Sequence, residues 1–366
     1  MSIWFNVYGI VGAASAGEKK YYIVPKNRNS IFLADVSSWN IQWVCDLPWD
    51  SPFFAVDIYE RDNTIWCVAR KGLQIVCYDL TSKKLSLYFG EDEERDNLVS
   101  VITEEDIIIL PKDLPGKVVR FSISQKEYHD MKDWNNSLEK LNIRDHLRAH
   151  VVDGKKIAAT LKTKPSILIF DIDACSTYEE KFSIQDTFFG IATTENGYCL
   201  TSYSKKGLYF FDSITKNIIF YGNQNGCGYY NQVFKAENQY ILSGIDSLDI
   251  FKSGIFRSII PPTKKTSERT GSPCVYAQSI GSIFLMWPWS MDKTIVIDIN
   301  TLKYKEYIFQ MNFGDYVNVY HNIAEEDLLL IDYIKEIEEH KTEKSKNTDE
   351  TCVGNIIYKQ IKGLRV

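Results

Sequence analysis

The stretch Phe53–Phe89, FFAVDIYERDNTIWCVARKGLQIVCYDLTSKKLSLYF, holds four short apolar runs separated by three polar breaks. The runs are Phe53–Tyr59, Thr64–Ala69, Leu73–Tyr78 and Leu85–Phe89, and the breaks are ERDN, RKG and DLTSKK. Runs this short, rich in β-branched and aromatic residues and bounded by turn formers, read as strands joined by hairpin turns. The same layout returns in FFGIATT, YCLTSY, GLYFFD and NIIFYG, starting at Phe188. No helical pattern of 10–15 residues separates the strands, which excludes a βαβ arrangement.

Working outward, the end of the third strand serves as a ruler. IFLADVSSW, IVCYDLTSKK, VVRFSISQKE, LIFDIDACS, YFFDSITKN, DIFKSGIF and IVIDINTLK place Asp35, Asp79, Ser122, Asp171, Asp212, Lys252 and Asp298 at one equivalent position. The repeat is about 44 residues long, the length of a four-stranded β-propeller blade. An aspartate there has a local task, since its carboxylate accepts a backbone N–H two residues on and starts the turn. The sequence therefore predicts an all-β propeller of about seven four-stranded blades, beginning near Ile3, Phe53, Leu98, Ala149, Thr187, Tyr230 and Pro273. The propeller is expected over residues 1–314, followed by an extension over 315–366 with helical patterns at Ala324–Glu338 and Val353–Leu364 around a charged loop, His340–Thr351. The alternative is an eighth, degenerate blade. The turns led by Asp79, Asp212 and Asp298 resemble those of PQQ-like and YVTN-type propeller blades, and the likeness to propeller repeats covers about residues 3–310. The kelch double glycine and the Gly-His and Trp-Asp pairs of WD40 repeats are missing, so the resemblance implies a fold and no activity.

Composition narrows the function classes. A net charge of −6 argues against a dedicated nucleic-acid binder. No apolar run approaches the ~18 residues of a membrane span. The small apolar stretch Ile10–Gly17 lacks a basic segment before it, so a secretory signal is not expected. Cys45, Cys67, Cys77 and Cys199 lie within apolar strands, the pattern of buried, reduced thiols in a cytoplasmic protein.

Candidate chemistry gathers in the turns between the second and third strands of each unit, the B–C turns, which share one side of a propeller with the D–A connections between blades. The B–C turns carry Lys26 and Arg28, Arg70 and Lys71, Lys112 and Lys117, Lys162 and Lys164, and Lys205 and Lys206. A ring of cations around a low-dielectric mouth attracts anions. The acidic run Glu91–Asp96 tempers it on the same side. These lysines are expected in solvated turns, where replacing Lys71, Lys164, Lys205 and Lys206 costs little stability. Trp287 and Trp289 flank Pro288 in the seventh B–C turn, and Trp49, Trp134, Phe188, Tyr229, Tyr230 and Phe313 lie in or beside D–A connections. Exposed rings there offer binding platforms. His146 and His150 stand four apart in a long connection with a helical turn, Lys132–Arg148. On a helix they would share a face as metal ligands do, but no third ligand is near, and no metal is expected. With Arg144, Asp145 and Arg148 they offer instead an acid–base site for an acidic sugar. Dinucleotide, P-loop, GxSxG and EF-hand motifs are absent, and no cofactor is expected. The reading is a non-enzymatic binding propeller for an anionic partner, an acidic glycan or an acidic protein surface. The alternative is a carbohydrate-active lyase or hydrolase at the channel mouth.

Overall fold

In blades 2 and 4 the second strand is buried along almost its whole length, and its environment explains why. Thr64–Ala69 (TIWCVA) is buried from Ile65 onward and Lys156–Leu161 (KIAATL) from Ile157 onward. A strand apolar on both faces needs a packing partner on both faces, and here the neighbouring blades supply them. The buried residues form seven clusters, each drawn from two adjacent blades. Cys67, Ile65 and Val76 of one blade, for example, pack on Val11, Val24 and Ile31 of the preceding one. Seven interfaces for seven sheets close a ring.

The computed structural model describes residues 2–4, 9–25, 29–49, 55–223, 229–244, 247–260, 274–280, 282–288 and 293–312. These form seven sheets, and the chain is a seven-bladed β-propeller. Strands A to D run outward from the channel, and their first strands are Ile10–Ser15, Ala55–Arg61, Asn97–Ile102, Asp145–Asp153, Phe188–Thr193, Tyr230–Ala236 and Cys274–Ile280. Blade 1 thus starts at Ile10 rather than near Ile3. Ser2–Trp4 instead pairs with Gln310–Asn312, which runs parallel to the outer strand Asn40–Asp46, so two further strands cap the outer edge of blade 1. The extension expected over 315–366 lies outside the described residues.

The aspartate ruler holds. Asp35, Asp79, Ser122, Asp171, Asp212, Lys252 and Asp298 each end the third strand of their blade. Asp79 accepts from the N–H groups of Thr81 and Ser82 at 2.9 and 2.6 Å, and Asp212 from Ile214 and Thr215, both at 2.8 Å. Those bonds lower the pKa of both carboxylates. Among the described residues the one α-helix is Lys132–Lys140, in the connection from blade 3 to blade 4. Its Trp134 is fully buried and donates from Nε1 to Thr177 Oγ1 at 2.6 Å, docking the helix on the outer strand of blade 4.

Candidate binding site at the mouth of the ring

The channel mouth is shaped by a device found in every blade. Near the B–C end, the pairing of strand A with strand B slips by one residue, a β-bulge. A bulge places two residues opposite one, sharpens the local twist and re-aims a side chain. The extra residue is Val11, Val56, Leu98, Arg148, Phe189, Asn231 and Val275 in blades 1 to 7. Four blades carry an aliphatic residue there. Blades 4, 5 and 6, which are consecutive, carry a guanidinium, a phenyl ring and an amide.

Side-chain hydroxyls hold these bulges open. Thr160 Oγ1 accepts from the N–H of Ala149 at 3.1 Å, and Thr201 Oγ1 from that of Gly190 at 2.6 Å. A Cβ on Gly190 would stand 3.0 Å from both Gln232 Cα and Val233 N, so the approach of strand A of blade 6 requires glycine. The adjoining B–C turns are latched by aspartates 41 residues apart. Asp145 accepts from the Thr163 N–H and hydroxyl at 3.0 and 2.7 Å. Asp186 accepts from the Ser204 N–H at 3.1 Å, the Tyr209 hydroxyl at 3.2 Å and the Ser202 hydroxyl.

This scaffold gathers Arg148, Phe189, Tyr203 and Tyr229. The Arg148 guanidinium lies 4.3 Å from the Phe189 ring centroid and 4.8 Å from that of Tyr203. Phe189 stacks on Tyr229 at 4.7 Å and 20°, and Tyr203 on Tyr229 at 6.1 Å and 19°. Arg148 also donates to the Phe188 carbonyl at 3.4 Å. Burial lowers the guanidinium pKa, while Tyr203, Asp145 and Tyr229 raise it. An arginine stays charged under such conditions, and stacking presents its in-plane N–H groups at a fixed angle. Tyr203 is 47% exposed at the rim.

The B–C cations do not form an even ring. Lys112 pairs with Asp96 at 3.6 Å, Lys117 with Asp130 at 3.3 Å and Lys293 with Glu306 at 2.8 Å. The acidic run folds over the second turn, where Gly72 N donates to Arg95 O at 2.8 Å, Leu73 N donates to Asp92 O at 3.1 Å, and Lys71 forms a strand bridge with Asp96. Arg70 and Lys71 therefore share their surroundings with carboxylates. Lys162 and Lys205 are exposed and Lys164 half-buried, in the B–C turns of blades 4 and 5, and the Lys205 Nζ lies 5.6 Å from the ring centroid of Phe220 on the outer strand Ile218–Gly222.

Lys206 departs from its expected place in a solvated turn. Its side chain is 6% exposed and pairs at 3.3 Å with Asp249, itself 4% exposed. Asp249 also accepts from the Tyr230 hydroxyl at 2.6 Å, and Asn223 donates to that hydroxyl at 2.7 Å. Lys206 is thus part of the join between blades 5 and 6.

Trp287 is likewise drawn inward. Strand B of blade 7 runs on to Pro288, and Trp287 is fully buried against Tyr21 at 5.5 Å and Phe309 at 6.0 Å, closing blade 7 onto blade 1. Trp49, Trp134, Phe188 and Tyr230 are buried as well, while Tyr229 remains half-exposed. Lys26, Arg28, Trp289 and Phe313 lie outside the described residues.

His146 and His150 lie on a strand, Asp145–Asp153, rather than on a helix. Four strand residues span about 13 Å, with the Arg148 bulge between the two rings. His146 is exposed and pairs through Nδ1 with Asp113. His150 is half-buried, and burial pushes its pKa down to about 4, so its imidazole is neutral at pH 7. Among the described residues no group of three or more His, Cys, Asp or Glu side chains is placed to hold a metal.

Sequence reasoning had reached Arg148 and Tyr229 but not Phe189, Tyr203 or Asn231. The available signal was the pair Thr160 and Thr201, which lie 41 residues apart in equivalent strands.

No family model and no curated protein sequence matches the chain. Solved structures do. A catalytically inactive virginiamycin B lyase from Staphylococcus aureus with quinupristin is 11% identical, with a TM-score of 0.61 over 80% of this chain and 97% of that one. YCF48 bound to D1 peptide is 10% identical, with a TM-score of 0.60 over 80% and 94%. The Dos1 propeller is 13% identical, with a TM-score of 0.55 over 83% and 85%. These similarities establish the propeller fold shared by proteins of varied roles, and no helix among the described residues is long and apolar enough to cross a membrane.

Proposed function

We propose that this propeller is a non-enzymatic binding module that recognises an anionic partner at the mouth sector formed by blades 4 to 6. One observation carries the reading: a charged guanidinium held against Phe189 and Tyr203, at the same bulge position that is aliphatic in blades 1, 2, 3 and 7. Lys162, Lys164 and Lys205 lie in the adjoining turns of blades 4 and 5. Arginine and tyrosine are the residues on which binding energy concentrates in interfaces. Charges around a low-dielectric mouth also steer an oppositely charged partner during encounter. A protein-bound peptide in one structural neighbour, YCF48 with D1 peptide, fits a binding role for a ring of this shape.

The test is a titration with fluorescent poly-L-glutamate and poly-L-lysine at low and high salt. Binding of polyglutamate should weaken with salt, because exposed charges act over about a Debye length, ~8 Å at physiological ionic strength. Replacing Lys162, Lys164 and Lys205 together by Ser should flatten that salt dependence. Preference for polylysine, or binding insensitive to salt, would remove the reading.

A further inference from the structure

On the side of the ring opposite the mouth, where the A–B and C–D turns lie, blade 6 departs from the repeat. In the other six blades four residues join strand C to strand D, as between Asp79 and Lys84 or Ser122 and Glu127. In blade 6 Lys252 pairs with Ile255, and the turn is Ser253-Gly254 alone, with both residues at positive φ.

The shorter turn removes a plug. In blades 1, 2, 3, 4 and 7 the first turn residue is Val36, Leu80, Ile123, Ile172 and Ile299, and each packs on the apolar cluster shared with the preceding blade. Its N–H donates to the carbonyl of the last A–B turn residue of its own blade at 2.8 or 2.9 Å, a bond that Ser213 also makes in blade 5. Blade 6 has neither feature. Ser253 adds nothing to the cluster between blades 5 and 6, and it makes no such bond to Asn238, the counterpart of Asn63 and Asn196.

Where the plug is missing lies a pocket of about 270 Å³, walled by Phe210 and Tyr221 of blade 5 and Tyr240 and Phe251 of blade 6. Phe210 meets Tyr221 and Tyr240 edge to face, at 87° and 76°, so the walls hold one another in place without a ligand. Asn238 and the turn Lys252–Gly254 complete the lining, and Lys252, exposed, is its one charge among the described residues. Ile219, two residues before Tyr221 on the same face of the outer strand, is 55% exposed and extends the apolar surface outward. An open space between rings forfeits dispersion contacts that an aliphatic group restores.

We infer that this pocket is a second binding site, separate from the mouth, for a partner polypeptide that inserts a Leu, Ile or Val next to an acidic residue. Five other blades fill the equivalent place with a branched aliphatic side chain and aim its backbone N–H at the A–B carbonyl. One inserted residue supplies both groups, whereas a lipid chain brings no N–H and a sugar no branched apolar group. Four of the five plugs follow an aspartate, and in blade 6 Lys252 stands at that position, a cation for the partner's acid.

Random dodecapeptides displayed on phage are selected on the full chain, and the survivors are remade as end-blocked synthetic peptides. They should share a Leu, Ile or Val beside an Asp or Glu. The central variant supplies the plug in cis: Lys252–Gly254 is replaced by the blade 7 segment Asp298–Leu302 (DINTL). It should melt no lower than the parent and bind the peptides about tenfold or more weakly. Tyr221→Ala, which removes a wall, should cause a similar loss, and Lys252→Ser a loss of about threefold at low salt. Replacing Lys162, Lys164 and Lys205 by Ser at the mouth should leave these affinities unchanged. Should the turn replacement fail to fold, Tyr221→Ala decides. Selected peptides without the aliphatic residue, or with affinity that survives both the turn replacement and Tyr221→Ala, overturn the inference. Peptides lost only when the three mouth lysines are replaced overturn the second site and leave the anion reading intact. Retention of no peptide overturns it as well.

Discussion

Blades 4 to 6 and blades 1 to 3 meet the channel mouth with the same backbone and different chemistry. Both sectors carry the bulge at the top of strand A, with one extra residue in it. In blades 1 to 3 that residue is Val11, Val56 and Leu98; there the backbone of Lys71 bridges that of Asp96, and Lys112 pairs with the Asp96 carboxylate. In blades 4 to 6 it is Arg148, Phe189 and Asn231, flanked by Lys162, Lys164 and Lys205. A second contrast lies one residue further along strand A. Asp57 occupies in blade 2 the position of Ala149 in blade 4 and Gly190 in blade 5, and it accepts from the Ser100 N–H at 2.6 Å and hydroxyl at 3.0 Å. Blade 2 sets a carboxylate against the neighbouring blade where blades 4 and 5 have small residues. The difference teaches that the repeat builds a scaffold indifferent to chemistry, and that function is written at a few equivalent positions of it.

The largest expected effect separates two lysines that look alike in sequence. Lys206→Ala should destabilise the protein by about 3–5 kcal/mol, because it leaves Asp249 charged and buried without its partner. Lys205→Ala, one residue away and exposed, should leave the melting temperature nearly unchanged. Equal melting temperatures for the two variants would show that the blade 5–6 join does not depend on the pair.

Next come two half-buried groups with opposite pH responses. Burial raises the Asp57 pKa to about 6 from the ordinary 3.8, against the hydrogen bonds from Ser100 that lower it. Burial lowers the His150 pKa to about 4 from 6.5. Between pH 3.8 and 6 the folded state holds more protons at Asp57 than the unfolded chain, so this group's contribution falls as pH rises. Between pH 4 and 6.5 the folded state holds fewer protons at His150, so its contribution is present above 6.5 and lost as pH falls. The two slopes nearly cancel in the parent protein and emerge in single variants. Asp57→Asn should gain about 1–3 kcal/mol at pH 7 and nothing below pH 4, so that it loses stability in acid, and His150→Leu should instead gain stability as pH falls over the same range. Urea unfolding at pH 4, 5.5 and 7 reads both, and parallel pH profiles for the parent and both variants would contradict them.

What was legible in the sequence follows from the range of the forces involved. The turn aspartates could be read because their job is local: Asp79 bonds to N–H groups two and three residues on, and the signal lies within one turn. Trp287 could not be read from a turn-like Trp-Pro-Trp, because its burial depends on Phe309 and on Tyr21, which lies far away in the chain and meets it only at ring closure. Lys206 and Lys205 differ only through Asp249, which belongs to the next blade. The bulge leaves no mark beyond a slipped register, so Phe189 and Tyr203 read as ordinary strand and turn aromatics. The period was visible, and the contacts across it were not.

The smallest effect is the finest probe of the contrast between sectors. Lys71→Ser and Lys205→Ser each remove one exposed cation, and each should change stability by no more than about 0.5 kcal/mol, since neither opens a cavity. Their effects on binding should differ. Lys71 lies beneath the run Glu91–Asp96, so an approaching anion already meets a nearly balanced field there. Lys205 stands in the turn that also carries Tyr203, and no carboxylate pairs with it among the described residues. Replacing it should weaken polyglutamate binding by about twofold at low salt, the scale of one screened charge at the edge of an interface, and the loss should disappear at high salt. Lys71→Ser should leave the affinity unchanged at either salt. Equal losses for the two variants would mean that the whole B–C side acts as one diffuse basic surface, and the special standing of blades 4 to 6 would then rest on Arg148 alone.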